Sequence, residues 1–511
     1  MSMTAEQVVA WLRQQVPSAN LTADSRQVGA GDVFIAFPGD TVDGRAYIPD
    51  AIARGAAVVL YEADGFTWND MRVLPSMALQ GLKQQAGPIA SAWYERADAA
   101  MFSVAVTGTN GKTSCSQWLA SALSRLDGPS AVIGTLGTGL YRDGVAEHLA
   151  ETGYTTPDAV LLQRRLRTLR DAGATSLALE ASSIGLDQGR MNGLHIDVAL
   201  FTNLTRDHLD YHGDMAHYEA AKAKLFGWSG LRSAVLNLDD PAGVRLLAQL
   251  QSSAPQLALT GYSLQPQLQS PAGITMLQAA ELRTSHSGTT FNLHFGTSVT
   301  AVKTRMVGDF NVSNVLGIIG VLLAKGHPLG AVLEAVEALD AVSGRMQQFG
   351  GQDAPLVVID YAHTPDALQK TLAALRQVAA QRGGQLWCVF GCGGDRDPGK
   401  RLQMGAVAML AEQIVVTSDN PRSELPSAII DQVMAGIDRG DRTRVAPLVI
   451  EDRAAAILWA VRHAGKYDVI LLAGKGHENY QEIRGKKLPF LDADHTALAL
   501  ATRATTKGHV T

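Results

Sequence analysis

Residues 102–123, FSVAVTGTNGKTSCSQWLASAL, constrain the fold of this chain more than any other segment. The apolar residues 104–106 predict a buried strand, and Trp118, Leu119 and Leu123 recur afterwards at helical spacing. A glycine-rich turn joins the two elements, and the positive end of the helix that follows favours a bound anion. The segment therefore predicts a strand, a phosphate-binding loop and a helix.

The loop differs from the common P-loop, which has four residues between its glycines. Here the glycines enclose two residues, and a lysine and a threonine open the helix. The candidate phosphate-binding residues are Gly108, Thr109, Asn110, Gly111, Lys112 and Thr113. The alternative is an ordinary strand-to-helix turn, but tightness alone does not require Gly-Lys-Thr at a helix start.

Length and composition bound the class of protein. A chain of 511 residues is expected to form about three domains, and its 46% hydrophobic and 18% charged residues are typical of a globular protein. The net charge of -5 gives no sign of nucleic-acid binding. Cys115, Cys388 and Cys392 are too few for a disulfide scaffold and match no zinc pattern, which indicates a reducing cytoplasm. The longest apolar run, residues 315–324, predicts a buried helix and no membrane insertion.

The order of strand-like and helix-like runs predicts an α/β protein with three domains. Residues 1–98 form a small α/β domain, residues 99–340 a central P-loop ATPase-like domain with a mostly parallel sheet, and residues 341–511 a Rossmann-like domain. Alternation within residues 254–302 predicts an antiparallel addition to the central domain. Polar turns follow the strands of the third domain, where doubly wound sheets bind ligands.

Polar residues also follow two strands of the central domain. The run ALEASS places Glu180 at the end of a predicted strand, and Asp207, His208, Asp210 and His212 follow FTNLT. A carboxylate and an imidazole near the terminal phosphate of a nucleotide suit a divalent cation. Taken alone, His208 fits a loop or helix-capping role equally well.

Eight motifs, in order, resemble those of the Mur ligases. They are GTNGKT, NLTRDHLDYHGDMAHYEAAK, GDFNVSN, SGRMQ, DYAHTPD, FGCGGDRDPGKR, SDNPRSE and AGKGHENYQ. The resemblance covers nearly the whole chain. It implies ATP-dependent addition of meso-2,6-diaminopimelate to UDP-N-acetylmuramoyl-L-alanyl-D-glutamate through an acyl phosphate, in the synthesis of peptidoglycan precursors. It also implies Mg²⁺ as cofactor and ATP as co-substrate.

The resemblance implies catalytic roles for Lys112, Glu180, His208 and Lys222. It implies that Thr113, Glu180, His208 and Lys222 hold a cation. Lys222 matches a carbamylated lysine (N6-carboxylysine), whose carboxylate suits magnesium. Without the resemblance, Lys222 would be read as a solvated helix lysine and Lys224 as an equal candidate. The further ATP contacts that the resemblance implies are Asn311, Asn314, Arg345, Asp360 and His363.

The resemblance also assigns two sets of substrate contacts. For the UDP-muramoyl dipeptide they are Ser25, Asp40, Thr41, Val42, Thr155, Thr156, Ser182, Gln188 and Arg190. For diaminopimelate they are Arg396, Asp419, Asn420, Pro421, Arg422, Gly474 and Glu478. Ile184 stands where many relatives carry His and Tyr154 where some carry Asn, so neither receives a role.

Arg422 matches the arginine that holds the distal carboxylate of diaminopimelate, and lysine-adding relatives lack it. The alternative for this residue is a surface ion pair with Glu424. Rival functions are a lysine-adding Mur ligase, a folylpolyglutamate synthase-like ligase and, from another class, a P-loop nucleotide switch. A folylpolyglutamate synthase-like ligase lacks the N-terminal module and the DNPR cluster. A nucleotide switch would account only for the phosphate loop. We expect a cytoplasmic monomer that acts on small molecules.

Overall fold

The computed structural model describes residues 3–40, 42–68, 74–150, 153–285, 287–437 and 446–507. The chain divides into two compact units. The first comprises Met1–Leu204, Asp214–Gly261 and Gly320–Ala335, and the second Thr205–Gly213, Tyr262–Ile319 and Val336–Thr511.

The chain begins with a small parallel sheet and its helices. These elements are α1 (Ala5–Gln15), β1 (Leu21–Thr22), β2 (Val33–Ala36), α2 (Ile48–Ala53), β3 (Val58–Glu62), β4 (Ser76–Leu79) and α3 (Leu82–Trp93). The four strands are parallel and lie in the order β1-β2-β3-β4. Helix α1 begins at a capping box, in which Thr4 Oγ1 accepts from the Gln7 backbone and the Gln7 side chain accepts from the Thr4 backbone.

A larger sheet follows. Its elements are β5 (Phe102–Thr107), α4 (Lys112–Leu126), β6 (Ser130–Gly134), β7 (Gly137–Arg142), β8 (Val145–Ala146), α5 (Ala159–Asp171), β9 (Ser176–Glu180), α6 (Ser183–Asp187), β10 (Val198–Phe201), α7 (Leu209–His212), α8 (Met215–Ala223), β11 (Ser233–Asn237) and α9 (Pro241–Ser253). Within the first unit the strand order is β11-β10-β5-β9-β6-β7-β8. The strands from β11 to β6 are parallel, and β7 and β8 are antiparallel additions. The strand–loop–helix prediction for residues 102–123 is confirmed.

The rest of the chain adds an antiparallel meander and a second α/β sheet. Its elements are β12 (Ala258–Ser263), β13 (Thr275–Ser285), β14 (Gly288–Phe295), β15 (Ser298–Thr304), α10 (Asp309–Ala324), α11 (Leu329–Glu337), β16 (Gln347–Gly350), β17 (Leu356–Asp360), α12 (Pro365–Arg382), β18 (Leu386–Phe390), α13 (Gly399–Ala408), β19 (Gln413–Val416), α14 (Pro426–Met434), β20 (Leu448–Val449), α15 (Arg453–His463), β21 (Val469–Ala473), β22 (Tyr480–Ile483), β23 (Lys486–Pro489) and α16 (Asp492–Lys507). Strands β13, β14 and β15 pair antiparallel, as the alternation predicts.

The α/β sheet of the second unit has the strand order β16-β17-β21-β18-β19-β20, and only β16 among these strands is antiparallel. Buried apolar side chains of α12, such as Leu368 and Leu372, pack with Val358 and Phe390 of the sheet. Helix α10 contains the buried apolar run that the sequence predicts. Among the helices that the structure describes, none is long and apolar enough to cross a membrane.

The two sheets position the candidate residues through one rule: the carboxyl ends of parallel neighbours meet at one edge. In the first unit β5, β9 and β10 end beside one another, and the phosphate loop, Glu180 and Asn203 lie there. In the second unit β17, β21, β18 and β19 end together, next to Asp360, Gly474 and Asp419.

Candidate active site

The phosphate loop is held from the neighbouring strand end. The backbone N–H of Asn110 donates to Asn203 Oδ1 at 2.9 Å, and Asn203 Nδ2 donates back to the Asn110 carbonyl at 3.1 Å. Gly108 has φ +148°, and a Cβ there would come within 1.9 Å of Thr202 Oγ1. These contacts fix a loop with only two residues between its glycines. Sequence analysis missed Asn203, although it directly follows the apolar strand β10 in FTNLT.

Lys112 and Thr113 open helix α4, as the sequence predicts. The Lys112 ammonium donates to the carbonyls of Gly108 and Thr109, each at 2.9 Å, so the positive charge lies over the loop. The free backbone N–H groups at a helix start and the helix dipole attract anions at the same place. This arrangement suits the phosphates of a nucleotide.

Glu180 is fully buried at the end of β9 and accepts three hydrogen bonds. Thr113 Oγ1 and Thr135 Oγ1 each donate to Oε2 at 3.0 Å, and the Thr135 backbone donates to Oε1 at 2.8 Å. A carboxylate surrounded by hydroxyl oxygens is a set of hard donors, which fits Mg²⁺. Thr135 was not predicted, yet its position directly after β6 is the same strand-end signal that identified Glu180.

The two candidate lysines of helix α8 and its end differ in burial. Lys222 is buried, with 2% of the residue exposed. Its Nζ donates to the Gly108 carbonyl at 2.7 Å and lies 4.3 Å from the centroid of the Tyr218 ring. The Lys224 side chain is 49% exposed and forms an ion pair with Asp187 at 2.6 Å. Lys224 is therefore the solvated helix lysine, whereas Lys222 contacts the phosphate loop. The modification of Lys222 stays a prediction.

His208 belongs to the second unit, whereas Thr113, Glu180 and Lys222 belong to the first. It has φ 53° at the start of α7, and its Nε2 lies 3.5 Å from Asp207 Oδ2. Within the described ranges, no three His, Cys, Asp or Glu side chains form a group that could hold a metal ion. The predicted cation site therefore needs the Thr113 hydroxyl and a modified Lys222 as ligands, besides Glu180 and His208.

Further predicted ATP contacts lie in the second unit. Asp360 ends β17 and accepts from the Met346 backbone at 2.9 Å; burial raises the pKa of its carboxyl, and the charge of Arg345 opposes that effect. His363 Nδ1 donates to the Tyr361 carbonyl at 2.8 Å. Burial lowers the pKa of His363 to about 4, so its ring is neutral at pH 7 and Nε2 can accept a hydrogen bond. Asn311 and Asn314 lie buried on α10.

Five of the nine predicted contacts of the sugar nucleotide form one hydrogen-bonded chain in the first unit. Gln188 Nε2 donates to Asp40, and Gln188 Oε1 accepts from Arg190 Nε at 2.8 Å. Arg190 Nη1 donates to the Thr156 carbonyl at 3.0 Å, and the hydroxyls of Thr156 and Ser182 lie 3.0 Å apart. The structure thus joins Asp40 to Ser182, which are distant in sequence.

The remaining members of that set are less connected. Thr155 shares a hydrogen bond of 3.1 Å with Thr135, Ser25 opens a single 3-10 turn, and Val42 is exposed. Thr41 lies outside the described residues.

Tyr154 and Ile184 are the two positions that depart from the family pattern. The Tyr154 ring lies 4.9 Å from the guanidinium carbon of Arg190, a cation–π contact that sequence analysis did not predict. Ile184 lies within α6.

The predicted diaminopimelate contacts gather at the ends of β19 and β21. Asn420 Nδ2 donates to Glu478 Oε2 at 2.7 Å. Gly474 has φ +109° and faces Asp419, while Pro421 begins the turn that contains Arg422. Arg396 is exposed in the loop after β18. Lys475, which the sequence does not single out, is buried among these residues.

Arg422 is not paired with Glu424, so the ion pair considered as its alternative role is wrong. Its Nη1 donates to the Gly394 carbonyl at 2.6 Å, and its Nε lies 3.6 Å from Glu482. Glu424 instead accepts two hydrogen bonds from Arg401, at 2.7 and 2.8 Å, and these hold the pKa of Glu424 at about 2. Arg422 has φ 51°, an uncommon backbone conformation for an arginine.

We expect Gly474→Ala to lower the free energy of unfolding more than Gly485→Ala does. Both glycines have positive φ, so both substitutions strain the backbone. A Cβ at Gly474 would also come within 2.4 Å of Asp419 Oδ2, whereas nothing lies within 4 Å at Gly485. The extra overpacking should destabilise by about 1–3 kcal/mol, measured by urea unfolding. Equal losses in the two variants would contradict this view of Gly474.

Three family models match the chain. They describe a Mur ligase family catalytic domain at residues 18–82, a Mur ligase middle domain at residues 106–322 and a Mur ligase glutamate ligase domain at residues 344–476.

Relatives and solved structures agree with these matches. A UDP-N-acetylmuramoyl-L-alanyl-D-glutamate--2,6-diaminopimelate ligase from Janthinobacterium sp. (strain Marseille) is 62% identical over 97% of each chain. A solved structure of a ligase with that same name is 37% identical, with a TM-score of 0.66 over 95% of each chain. A MurF ligase from Thermotoga maritima, solved with ADP, is 17% identical with a TM-score of 0.63 over 96% of this chain and 99% of that one, a likeness of fold.

Proposed function

The chain belongs to the Mur ligase family, and we propose that it joins 2,6-diaminopimelate to UDP-N-acetylmuramoyl-L-alanyl-D-glutamate. It is an ATP-dependent ligase that forms an amide bond in peptidoglycan synthesis. The observation that carries this function is the 62% identity, over almost the full length of both chains, to a relative named for it. A nucleotide switch would leave the residues at the ends of β19 and β21 without a role.

The chemistry follows from the poor reactivity of a carboxylate toward amines. A carboxylate oxygen of the muramoyl dipeptide attacks the γ-phosphorus of ATP, and ADP leaves. The amine nitrogen of diaminopimelate then attacks the acyl carbon, loses a proton, and expels phosphate from the tetrahedral intermediate. Both reactants of the first step are anions, so positive charge near them lowers the barrier.

We propose that residues 108–113 hold the phosphates of ATP, with the Lys112 ammonium moving from its loop carbonyls to the γ-phosphate. Asn311, Asn314, Arg345, Asp360 and His363 supply the further nucleotide contacts. Thr113, Glu180, His208 and a carbamylated Lys222 would each offer a ligand to Mg²⁺, and the oxygen donors around Glu180 support this proposal. When bound, the cation neutralises phosphate oxygens.

The substrate contacts are proposed on the same basis. The chain of hydrogen bonds from Asp40 to Ser182 supports a rigid binding surface for the UDP-muramoyl dipeptide, with Arg190 aimed at an anionic group. Asn420, Arg422 and Glu478 offer an amide, a guanidinium and a carboxylate to diaminopimelate, which carries ammonium and carboxylate groups at both ends. The meso isomer is part of this proposal.

We also propose domain bounds of 1–98, 99–340 and 341–511. The three matched family ranges each fall inside one of these domains, which supports the division. A monomeric state and a cytoplasmic location stay predictions.

The function is tested by phosphate release in the presence of ATP, Mg²⁺ and the UDP-muramoyl dipeptide, with the amino acid varied. We expect release and a new amide product with diaminopimelate, and little of either with lysine or glutamate. Equal turnover with lysine would favour a lysine-adding ligase. Release that no amino acid changes would favour the nucleotide switch.

A further inference from the structure

A fully buried lysine lies beside the predicted diaminopimelate-binding carboxylate. Lys475, two residues after the end of β21, has 0% of its side chain exposed. Its Nζ donates to Glu478 Oε2 at 3.1 Å and to Asn420 Oδ1 at 3.2 Å. It also lies 5.7 Å from the centroid of the Tyr480 ring. Lysine is rarely buried unless it is paired, so these contacts define its place.

The two oxygens of the Glu478 carboxylate have different surroundings. Oε2 accepts from Lys475 Nζ and from Asn420 Nδ2, which fixes this oxygen. Oε1 has no hydrogen bond to any residue in the part of the chain that the structure describes, and the side chain is 17% exposed. One oxygen is therefore anchored, and the other can accept from a ligand.

The charge of Glu478 depends on its neighbours. Burial and the carboxylate of Asp419 raise the pKa of Glu478, and the Lys475 ammonium opposes both. The other groups that interact with this carboxylate are Arg453, which is paired with Asp492, and the Tyr361 hydroxyl. Because Lys475 makes the direct contact, its removal would favour the protonated, uncharged form of Glu478.

We propose that Lys475 is a positioning residue for the amino-acid substrate: it anchors Glu478 Oε2 as part of a carboxylate so that Oε1 receives an ammonium group of diaminopimelate. The inference rests on the proposed function, because it requires that diaminopimelate binds at Asn420, Arg422 and Glu478. Lys475 does not contact the substrate in this arrangement and acts through Glu478.

The test compares Lys475→Met and Lys475→Gln with the wild type at pH 6 and pH 8.5. We expect the KM for diaminopimelate to rise about tenfold at pH 6 and by a smaller factor at pH 8.5, because loss of the Lys475 ammonium raises the pKa of Glu478 and the uncharged carboxyl is favoured at the lower pH. The KM for ATP should not change. Lys487→Met is a matched control, because Lys487 also lies over the Tyr480 ring, at 4.1 Å, but is exposed.

An unchanged KM, or a loss of the same size at both pH values, would overturn the proposal, since a purely structural role gives no pH dependence of this kind. Thermal unfolding shows whether each variant folds. If neither lysine variant folds, Glu478→Gln decides: we expect a KM for diaminopimelate about tenfold above that of the wild type at both pH values, and an unchanged KM contradicts the inference. A wild type that never uses diaminopimelate would overturn the proposed function instead.

Discussion

Lys222→Ala should lower ligase turnover by about 10²–10³-fold, whereas Lys224→Ala should leave it within about twofold. The lysines are two positions apart, but only the Nζ of Lys222 reaches the phosphate loop, at the Gly108 carbonyl. The proposed carbamate places an anionic oxygen donor there for Mg²⁺. Alanine removes that donor, and the readout is phosphate release and amide product under saturating substrates.

Lys222→Arg separates the modification from simple positive charge. Arginine keeps a cation near the loop but cannot form the lysine carbamate, so we expect it to be as inactive as the alanine variant. Nuclear magnetic resonance of wild-type protein incubated with ¹³C-bicarbonate should show a carbamate signal that both Lys222 variants lack. Full activity of Lys222→Arg would contradict the proposed modification.

The second large effect is expected at Arg422. Arg422→Ala should lower kcat/KM for diaminopimelate by about 10²-fold or more while the KM for ATP stays unchanged. The guanidinium donates from Nη1 to the Gly394 carbonyl at 2.6 Å, and its Nε lies 3.6 Å from Glu482, so it is oriented before substrate arrives. Truncation to alanine removes the charge-assisted pair that the guanidinium would form with the distal carboxylate.

Selectivity provides the sharper readout. Lysine has no distal carboxylate, so the low turnover that we expect with lysine should change little in Arg422→Ala, and the preference for diaminopimelate should shrink. Arg484→Ala is the control, because Arg484 is exposed in the turn between β22 and β23 next to this site. Parallel losses for ATP and for diaminopimelate would indicate a disrupted fold and refute the specific role of Arg422.

The sequence predicts the architecture well because the signals for it are local. The strand, loop and helix of residues 102–123 follow one another within 22 positions, and their periodicity is strong. The antiparallel meander is likewise visible as alternation. The β22–β23 hairpin, which contacts Arg422, was not predicted, although Arg484-Gly485 lies at its turn.

The contacts within the site depend on residues distant in sequence, and single-sequence patterns do not encode them. Glu424 pairs with Arg401, 23 positions away, and not with its near neighbour Arg422. Lys475 follows a glycine in a polar turn, where a solvated lysine is expected, yet packing at the ends of β19 and β21 buries it. Periodicity alone could not distinguish Lys222 from Lys224, because burial decides between them.

The most direct test of the central claim is the fate of oxygen from the substrate carboxylate. The reactive carboxylate of the UDP-muramoyl dipeptide is labelled with ¹⁸O, and the phosphate released with diaminopimelate is analysed by mass spectrometry. An acyl phosphate requires one carboxylate oxygen to leave with the phosphate, so we predict one ¹⁸O atom per phosphate from fully labelled carboxylate. Amide product accompanied by unlabelled phosphate would contradict activation of the acid by phosphorylation.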